Sequence, residues 1–431
     1  MGAIFVPLNT AYTLAELDNF LGDAAPAGVI GTPAQITELT ALAKRHGVRA
    51  IFSLGGSGNG TLMEAASGKP GSAIDHPADW DDTVAILYTS GTTGRSKGAM
   101  LTHGNLASNA LTLIDAWRFT DHDVLFHALP VYHTHGLFTA SNTLLLSGGS
   151  ILFRRRFDAD DCLTCMPQAT AMMGVPTFYT RLLQHPRLTR DATAHIRVFI
   201  SGSAPLLAET HRDFALRTGH AILERYGMTE TNMNTSNPYD GERRAGTVGF
   251  PLHGVEVRIA HTETGVPLPQ GEIGMIELRG PNLFKGYWQM PEKTAAEFRS
   301  DRFFITGDLG RFDSDGYLSI VGRGKDLIIT GGFNVYPKEV EGEIDALAGI
   351  IESAVIGVPH PDFGEGVTAV VVADGTAADE AAVIASLRER LAHFKLPKRV
   401  LFVDDLPRNA MGKVQKNVLR EKYAGLYREP A

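Results

Sequence analysis

The stretch that decides the fold is Tyr88-Thr-Ser-Gly-Thr-Thr-Gly-Arg-Ser-Lys-Gly98, which directly follows the apolar segment VAIL at 84–87. Its hydroxyl groups and glycines offer side-chain donors and accessible backbone N–H groups, which suit phosphate oxygens. A Walker A loop needs a Gly-Lys-Ser/Thr run, whereas Lys97 stands three residues after Gly94. The pattern therefore predicts a phosphate loop of another class, on a strand-to-helix turn. The predicted phosphate contacts are Thr89, Ser90, Gly91, Thr92, Thr93, Gly94 and Lys97.

The composition excludes several classes of protein. The chain has 431 residues, of which 44% are apolar, and its formal net charge is −8. A negative net charge argues against nucleic-acid binding through bulk electrostatics, and no apolar run reaches the ~20 residues that span a bilayer. Two cysteines cannot form a disulfide scaffold, so a reducing compartment is expected. We predict a cytoplasmic protein whose partners include neither nucleic acid nor membrane.

Short apolar, strand-like runs alternate with helix-like segments through the first half of the chain. These runs are 84–89, 123–129, 150–154, 169–175, 196–202 and 221–227. The alternation predicts an α/β fold in which βα units build mostly parallel sheets. Shorter strands, separated by Gly and Pro, predict a β-rich subdomain over 245–321 that completes an N-terminal domain at 1–321. A small α+β C-terminal domain is expected at 322–431.

Five motifs, in this order along the chain, resemble those of the adenylate-forming superfamily, which includes acyl-CoA synthetases, adenylation domains and luciferases. They are the 88–98 loop, Tyr226-Gly-Met-Thr-Glu-Thr231, Thr306-Gly-Asp308, Gly322-Arg-Gly-Lys-Asp326 and Pro407-Arg-Asn-Ala-Met-Gly-Lys413. The resemblance implies an enzyme that activates a carboxylic acid with ATP and Mg²⁺ and passes the acyl group to coenzyme A (CoA).

The resemblance also implies roles for individual residues. Attack by one anion on the α-phosphorus of another requires cations and donors where negative charge accumulates. Lys413 would bridge acid and phosphate, Glu230 would hold Mg²⁺, and Asp308 would accept hydrogen bonds from the ribose. The implied nucleotide-binding residues are Ser203, Ala204, Pro205, Tyr226, Gly227, Met228, Thr229, Asp308 and Arg323. The implied catalytic residues are Lys413, Thr229, Glu230 and His133.

A second half-reaction is implied, in which CoA attacks the acyl-adenylate after the C-terminal domain rotates about a hinge. The hinge position falls on Lys325. Gly331 and Gly332, followed by Phe333, would form the path of the pantetheine chain, because glycine has no side chain to block it. The basic C-terminal segment would then contact the phosphates of CoA.

Pocket positions implied by the resemblance indicate the class of acid. They are His133, Thr134, Met173, Phe199, Ser201, Arg225, Met233 and Asn234. Amino-acid-activating relatives carry an acidic residue at the His133 position, so an amino acid is disfavoured. Arg225 would point its guanidinium into this pocket. Burial of that cation is costly unless the ligand supplies a negative charge, and the two-pronged geometry of a guanidinium suits a carboxylate. The two methionines would keep the pocket short. We therefore expect a short dicarboxylic acid, best malonate, and the segments HTHG and ERYGMTETNMNTSNPYDG are similar to those of malonate–CoA ligases.

Several alternatives stay open. Arg225 could form an internal salt bridge with Glu224 or Asp240, and methylmalonate or another short acid could be the substrate. Family members usually carry several tens of residues before the segment that opens this chain, so we expect either a misassigned start or a truncation. A truncated, catalytically impaired homologue that acts as a binding partner is the alternative of another class. Cys162 and Cys165 are expected to be buried thiols rather than zinc ligands.

Overall fold

A computed structural model describes residues 2–72, 76–89, 96–330, 333–376, 379–388, 390–409 and 412–427. The helices are α1 (Leu14–Ala24), α2 (Ile36–Arg45), α3 (Thr61–Ala66), α4 (His103–Trp117), α5 (Ser141–Ser147), α6 (Ala159–Cys165), α7 (Pro176–Gln184), α8 (Ala208–Thr218), α9 (Pro291–Ala296), α10 (Pro337–Asp345), α11 (Glu380–Leu387) and α12 (Lys416–Tyr423). The strands are β1 (Gly28–Gly31), β2 (Ala50–Ser53), β3 (Thr83–Thr89), β4 (Lys97–Thr102), β5 (Val124–His127), β6 (Ser150–Phe153), β7 (Ala171–Gly174), β8 (Val198–Ser201), β9 (Leu223–Met228), β10 (Asn232–Ser236), β11 (Phe250–Pro251), β12 (Glu256–Ala260), β13 (Gly274–Arg279), β14 (Gly286–Tyr287), β15 (Phe304–Phe312), β16 (Leu318–Arg323), β17 (Ile328–Thr330), β18 (Phe333–Val335), β19 (Ile350–His360), β20 (Gly364–Ala373) and β21 (Arg399–Phe402).

A seven-stranded sheet lies at the centre of the larger part of the chain, in the order β11-β10-β9-β8-β7-β5-β6. Strands β6, β5, β7, β8 and β9 run parallel, whereas β10 and β11 pair antiparallel. The predicted α/β architecture is thus confirmed. Strands β7 and β8 are buried along their whole length, as expected for parallel strands covered by helices on both faces. Phe199 of β8, for example, packs edge-on against Tyr179 of α7 and Phe214 of α8.

Helix α4 holds β10 in place at one side of this sheet. Thr102 and Asn105 form a reciprocal capping box at the start of the helix. In its middle, Asn109 Nδ2 donates to the backbone oxygen of Met233 at 2.9 Å. At its end, the fully buried Trp117 donates from Nε1 to Ser236 Oγ at 2.9 Å. These two contacts fix the strand that follows the Tyr226–Thr231 motif.

The predicted phosphate loop joins two strands. Strands β3 and β4 pair antiparallel, with Thr89 opposite Lys97, and helix α4 begins only at His103. The strand-to-helix prediction is therefore wrong. The physical reason is that four of the six residues of β4 are buried, among them Ala99 and Leu101, and that the strand hydrogen-bonds to β3 on one side and to β14 on the other. Residues 90–95, which include the predicted phosphate contacts Ser90, Gly91, Thr92, Thr93 and Gly94, lie outside the described residues.

Two further sheets follow in the chain. Strands β12, β13, β15 and β16 form an antiparallel four-stranded sheet in that order, within the region predicted to be β-rich. The C-terminal sheet has the order β18-β17-β20-β19, and β21 pairs parallel to β20. The sequence pattern predicts a helix over 379–393, and the structure has the shorter helix α11, which ends at Leu387. Strand β16 extends to Arg323, and the domain boundary after residue 321 stays a prediction.

Helix α6 carries both cysteines of the sequence on its buried side. Cys162 and Cys165 are free thiols, and burial raises the pKa of the Cys162 thiol. The prediction of buried structural thiols is confirmed. Among the helices of the described ranges, none combines the length and apolar character that crossing a membrane requires.

Candidate active site

The carboxyl end of the central sheet carries the Tyr226–Thr231 motif on a tight hairpin between β9 and β10. A Cβ on Gly227 would lie 2.0 Å from the backbone oxygen of Asn232, so only glycine permits this approach. Asn232 itself adopts a left-handed φ of 50°. The hairpin presents Tyr226 at one end and Glu230 at the other.

A buried carboxylate lies beside Tyr226. The Tyr226 hydroxyl donates to Asp308 Oδ2 at 2.6 Å, and Arg323 Nε lies 3.2 Å from Asp308 Oδ1. Burial, with Asp308 nearby, raises the pKa of Tyr226, so the phenol keeps its proton and stays a donor. Thr306 Oγ1 accepts the backbone N–H of Asp308 at 3.0 Å and fixes the turn. The Asp308 carboxylate, oriented by Tyr226 and Arg323, is suited to accepting hydrogen bonds from a pair of vicinal hydroxyls.

The segment from Ser203 to Pro205 lies between β8 and α8 and is anchored at both ends. Ser203 has a left-handed φ of 70°, uncommon for a non-glycine residue, and its Oγ lies 3.1 Å from Nδ1 of His135. The next residue after Pro205, Leu206, donates its backbone N–H to Glu224 Oε1 at 3.1 Å. The predicted adenine-side segment is therefore held by two buried side chains that sequence reasoning had not assigned to it.

Lys97 and the predicted magnesium ligand Glu230 are linked through Tyr287. Thr229, which precedes Glu230 in the chain, is half-buried. Lys97 Nζ and Glu230 Oε1 both lie 3.1 Å from the Tyr287 hydroxyl oxygen. Mg²⁺ in nucleotide enzymes is commonly held by one or two carboxylates together with substrate phosphates. Within the described ranges, no three His, Cys, Asp or Glu side chains converge as a metal site. A single buried carboxylate therefore fits Mg²⁺ only as an ion shared with a bound nucleotide.

The C-terminal loop brings Lys413 close to the charged residues Asp308, Arg323 and Glu230. The backbone N–H of Lys413 donates to Asn409 Oδ1 at 3.0 Å, and Gly412 approaches Thr177 at the start of α7. Burial, with the cations Arg323 and Arg225 nearby, lowers the pKa of Lys413 to about 8, although Asp308 and Glu230 oppose the shift. The structure thus brings Lys413, from the C-terminal part of the chain, close to four charged residues from its middle, namely Arg225, Glu230, Asp308 and Arg323.

Arg225 is buried in the sheet, and most of its N–H donors have no partner among the residues that the structure describes. Its side chain is 3% exposed, and within the described residues Nε and Nη2 have no hydrogen-bond partner. Burial lowers its pKa to about 10, which leaves it charged at neutral pH. Of the two acidic residues considered as internal partners, Asp240 pairs with Arg118 at the surface. Glu224, whose pKa burial raises to about 7, points to the other face of β9 and binds Leu206.

Gly202 is the residue on which the guanidinium of Arg225 rests. A Cβ added to Gly202 would lie 2.4 Å from Cζ of Arg225, so any side chain there would displace the guanidinium. Sequence reasoning missed this glycine. The position of Gly202 directly after β8 could have indicated it. Side chains alternate between the two faces of a strand, and this alternation puts position 202 on the face that Arg225 occupies on β9.

The strand register divides the other predicted pocket positions. Met173 pairs with Ile200, which pairs with Leu223, so these residues share the face of Arg225. Met233 lies over Gly227 on that face. Phe199 and Ser201 point to the opposite face, with Glu224. Their predicted place in the pocket beside Arg225 is corrected, because a shift of one residue along a strand exchanges its faces.

Three predicted polar residues already have partners inside the protein. Burial, beside Lys413 and Arg225, lowers the pKa of His133 to about 3, so its ring is neutral, and it accepts the backbone N–H of His135 at 3.3 Å. Thr134 Oγ1 donates to Asn232 at 3.3 Å. The amide of Asn234 binds Thr231 and Asn282, at 2.8 and 3.1 Å.

The residues implied for CoA are only partly described. Lys325 lies exposed in the short 3₁₀ turn Gly324–Asp326, which follows β16. Phe333 is 55% exposed, and its ring stacks on Phe394 with centroids 4.7 Å apart. Gly331 and Gly332 lie outside the described residues. A thiol path therefore stays a prediction.

The chain belongs to the AMP-binding enzyme family, whose family models match both parts of its sequence. Residues 1–288 match the AMP-binding enzyme description, and residues 339–413 match the AMP-binding enzyme C-terminal domain. The protein is an acid–CoA ligase of the AMP-forming type.

Named relatives narrow the class without fixing the acid. The chain is similar to ATP-bound MatB from Rhodopseudomonas palustris, with 63% identity and a TM-score of 0.97, over 99% of this chain and 84% of that one. It is 35% identical to a malonate–CoA ligase of Arabidopsis thaliana, over 97% of this chain and 74% of the relative. It is also 38% identical to a feruloyl-CoA synthase of an Amycolatopsis species, over 98% of this chain and 84% of the relative.

Proposed function

We propose that the protein joins malonate to CoA, consuming ATP and releasing AMP and diphosphate, through a malonyl-adenylate. The observation that carries this proposal is the buried guanidinium of Arg225, whose Nε and Nη2 have no protein partner within the described residues. A cation in that position is stabilised when the ligand brings a carboxylate. The similarity to a malonate–CoA ligase supports the same acid.

The first half-reaction follows from the charges around the centre. One carboxylate oxygen of malonate attacks the α-phosphorus of ATP, a P–O bond forms, and diphosphate leaves with the bridging oxygen. Lys413, charged below its pKa of about 8, would neutralise the two anions as they approach. Asp308, with Tyr226 and Arg323 beside it, would hold the ribose. Bound Mg²⁺, held by Glu230 and the nucleotide, would supply further positive charge for the phosphates.

The second carboxylate of malonate would make the enzyme prefer malonate to acids that have a single carboxylate, such as acetate. With malonate bound, the Arg225 guanidinium gains a charge-assisted, two-pronged partner. With acetate bound, the same cation stays buried without one, and an unpaired buried charge is costly. Met173 and Met233, on the same face as Arg225, limit the length of an acid in this pocket. In the second half-reaction the CoA sulfur attacks the acyl carbon, and AMP leaves.

Two alternatives have specific support. Methylmalonate keeps both carboxylates, so Arg225 alone does not discriminate against it. A feruloyl-type acid is raised by the 38% identity to a feruloyl-CoA synthase, but it would leave the guanidinium without a counter-ion. A homologue without activity would have no need of Lys413, Glu230 and Asp308, which the structure holds around one centre.

A panel of acids tests the proposal directly. ATP–pyrophosphate exchange and CoA thioester formation would be measured with malonate, methylmalonate, succinate, acetate and ferulate at equal concentrations. We expect malonate to give the highest kcat/KM and acetate to be at least about 100-fold poorer, since one unpaired buried charge costs several kcal/mol. A preference for acetate or ferulate would refute malonate as the substrate. Absence of exchange with every acid would favour the impaired homologue.

A further inference from the structure

A cluster of five side chains lies around Lys97, and three of its members belong neither to the predicted phosphate contacts nor to the proposed reaction. The cluster comprises Lys97, Glu230, Tyr287, Lys293 and Glu297. Its members come from β4, the β9–β10 hairpin, β14, α9 and the residue that ends α9. Residues up to 200 positions apart in sequence thus meet in one polar network.

Glu297 forms ion pairs with both lysines of the cluster, Lys97 and Lys293. Its Oε1 lies 3.1 Å from Lys97 Nζ and 2.8 Å from Lys293 Nζ, while Oε2 accepts the Tyr287 hydroxyl at 2.6 Å. Both Lys97 and Glu297 are mostly buried, with 17% and 18% of their side chains exposed. A pair that is this shielded, with additional hydrogen bonds, has a defined geometry, unlike a solvated surface ion pair.

Tyr287 connects this ion pair to the predicted magnesium ligand. Its hydroxyl oxygen lies 2.6 Å from Glu297, 3.1 Å from Lys97 and 3.1 Å from Glu230. A phenol has one proton to donate and can accept from a cation. The phenol proton is shared between two carboxylates, with the shorter contact to Glu297 and the longer one to Glu230, while Lys97 donates to the phenol oxygen. The ammonium also lies 4.2 Å above the Tyr287 ring, a cation–π distance.

We infer that Tyr287 and Glu297 are positioning residues, which hold Lys97 and Glu230 at a fixed separation to receive the metal-bound phosphates of ATP. The inference rests on the proposed function for the identity of the nucleotide. Neither residue needs to touch the substrate: Glu297 orients the cation, and the Tyr287 hydroxyl links that cation to the carboxylate. Fixing both groups in advance reduces the ordering that nucleotide binding would otherwise require.

The Tyr287→Phe variant tests the hydroxyl with little effect on packing. The ring of Tyr287 packs against Phe284 at 4.8 Å and against the Lys97 ammonium, and both contacts survive the change. The matched control is Tyr317→Phe, because Tyr317 is also buried and its hydroxyl donates at 2.8 Å to the backbone oxygen of Glu242, which is not part of this cluster. Binding of ATP would be measured by calorimetry with and without Mg²⁺, without any acid.

We expect Tyr287→Phe to raise the Kd for Mg·ATP about tenfold, as loss of one hydrogen bond to a charged group predicts. Its Kd for metal-free ATP should rise less, and Tyr317→Phe should change neither. Equal Mg·ATP affinity in Tyr287→Phe and wild type would overturn the inference. Failure of the wild type itself to bind Mg·ATP would instead overturn the proposed function.

A second variant keeps the inference testable if Tyr287→Phe folds poorly. Glu297→Gln removes the charge that holds Lys97 while retaining size and an acceptor. We expect Lys97 to react several-fold faster with an amine-acylating reagent in this variant, as read by mass spectrometry, with the acylation rate of Lys285 as internal reference. Lys285 donates to the Asp81 backbone outside the cluster. An unchanged Lys97 rate would overturn the positioning role of Glu297.

Discussion

Replacing Arg225 by methionine should separate malonate from acids with a single carboxylate. The change keeps a long apolar stem at a residue that is 3% exposed, and it removes the guanidinium, whose Nε and Nη2 have no partner in the part of the chain that the structure describes. Each charge-assisted hydrogen bond to the far carboxylate contributes about 1.5–3 kcal/mol. Loss of two such bonds predicts a decrease of about 3 kcal/mol or more in transition-state stabilisation, or roughly 150-fold in kcat/KM.

The assay is diphosphate release, measured for malonate, acetate and butyrate under subsaturating acid. We expect kcat/KM for malonate to fall by the predicted factor, while acetate changes little and butyrate improves, because its methyl end meets methionine instead of a cation. Arg243→Met is the matched control: Arg243 donates to the backbone oxygens of Pro238, Ala221 and Tyr239 and has a structural role. That variant should lose stability without changing the acid preference. Equal losses for malonate and acetate in Arg225→Met would refute the carboxylate clamp.

Three further outcomes are expected. Gly202→Ala would place a methyl group 2.4 Å from Cζ of Arg225, so kcat/KM for malonate should fall about tenfold or more and that for acetate much less; an unchanged ratio would contradict the contact. Lys413 has a pKa lowered to about 8, so adenylation kcat/KM should decline above about pH 8 as its charge is lost, and Lys413→Arg should show no such decline in its pH profile. Asp123→Asn breaks a bidentate pair with Arg197 at 2.7 and 2.8 Å and should lower the free energy of unfolding by about 3 kcal/mol, measured by thermal denaturation, with the acid preference intact.

Local patterns predicted most of the central sheet because its strands are short, apolar and separated by helices. The 123–129, 169–175 and 196–202 runs became β5, β7 and β8. The error at β4 has a different origin. Glycine and hydroxyl residues after a strand indicate a phosphate loop, but they do not say whether a helix or an antiparallel strand follows. That choice depends on pairing with β14, which lies far away in sequence.

In the candidate active site, too, features that lie in contiguous residues could be predicted, whereas features that depend on contacts between distant residues could not. Motifs identified Lys413, Glu230 and Asp308 because their chemistry is encoded in contiguous residues. Phe199 and Ser201 were assigned to the pocket of Arg225, yet the register of β8 turns them away from it. The sequence motifs do not include Tyr287 or Glu297. Nothing near them in sequence indicates a role, which arises only when the fold brings them to Lys97.

The burial of both native thiols in α6 has a practical consequence for studying movement of the C-terminal part. A maleimide dye reacts with an accessible thiolate. Cys162 and Cys165 are both buried, and burial raises the pKa of the Cys162 thiol, so this residue also forms little thiolate. Cysteines introduced on the surface at either side of Gly324–Asp326 would therefore be labelled first, on an otherwise unaltered background. Energy transfer between two such dyes would test, in single molecules, the prediction that the C-terminal part rotates and carries Lys413 away during turnover.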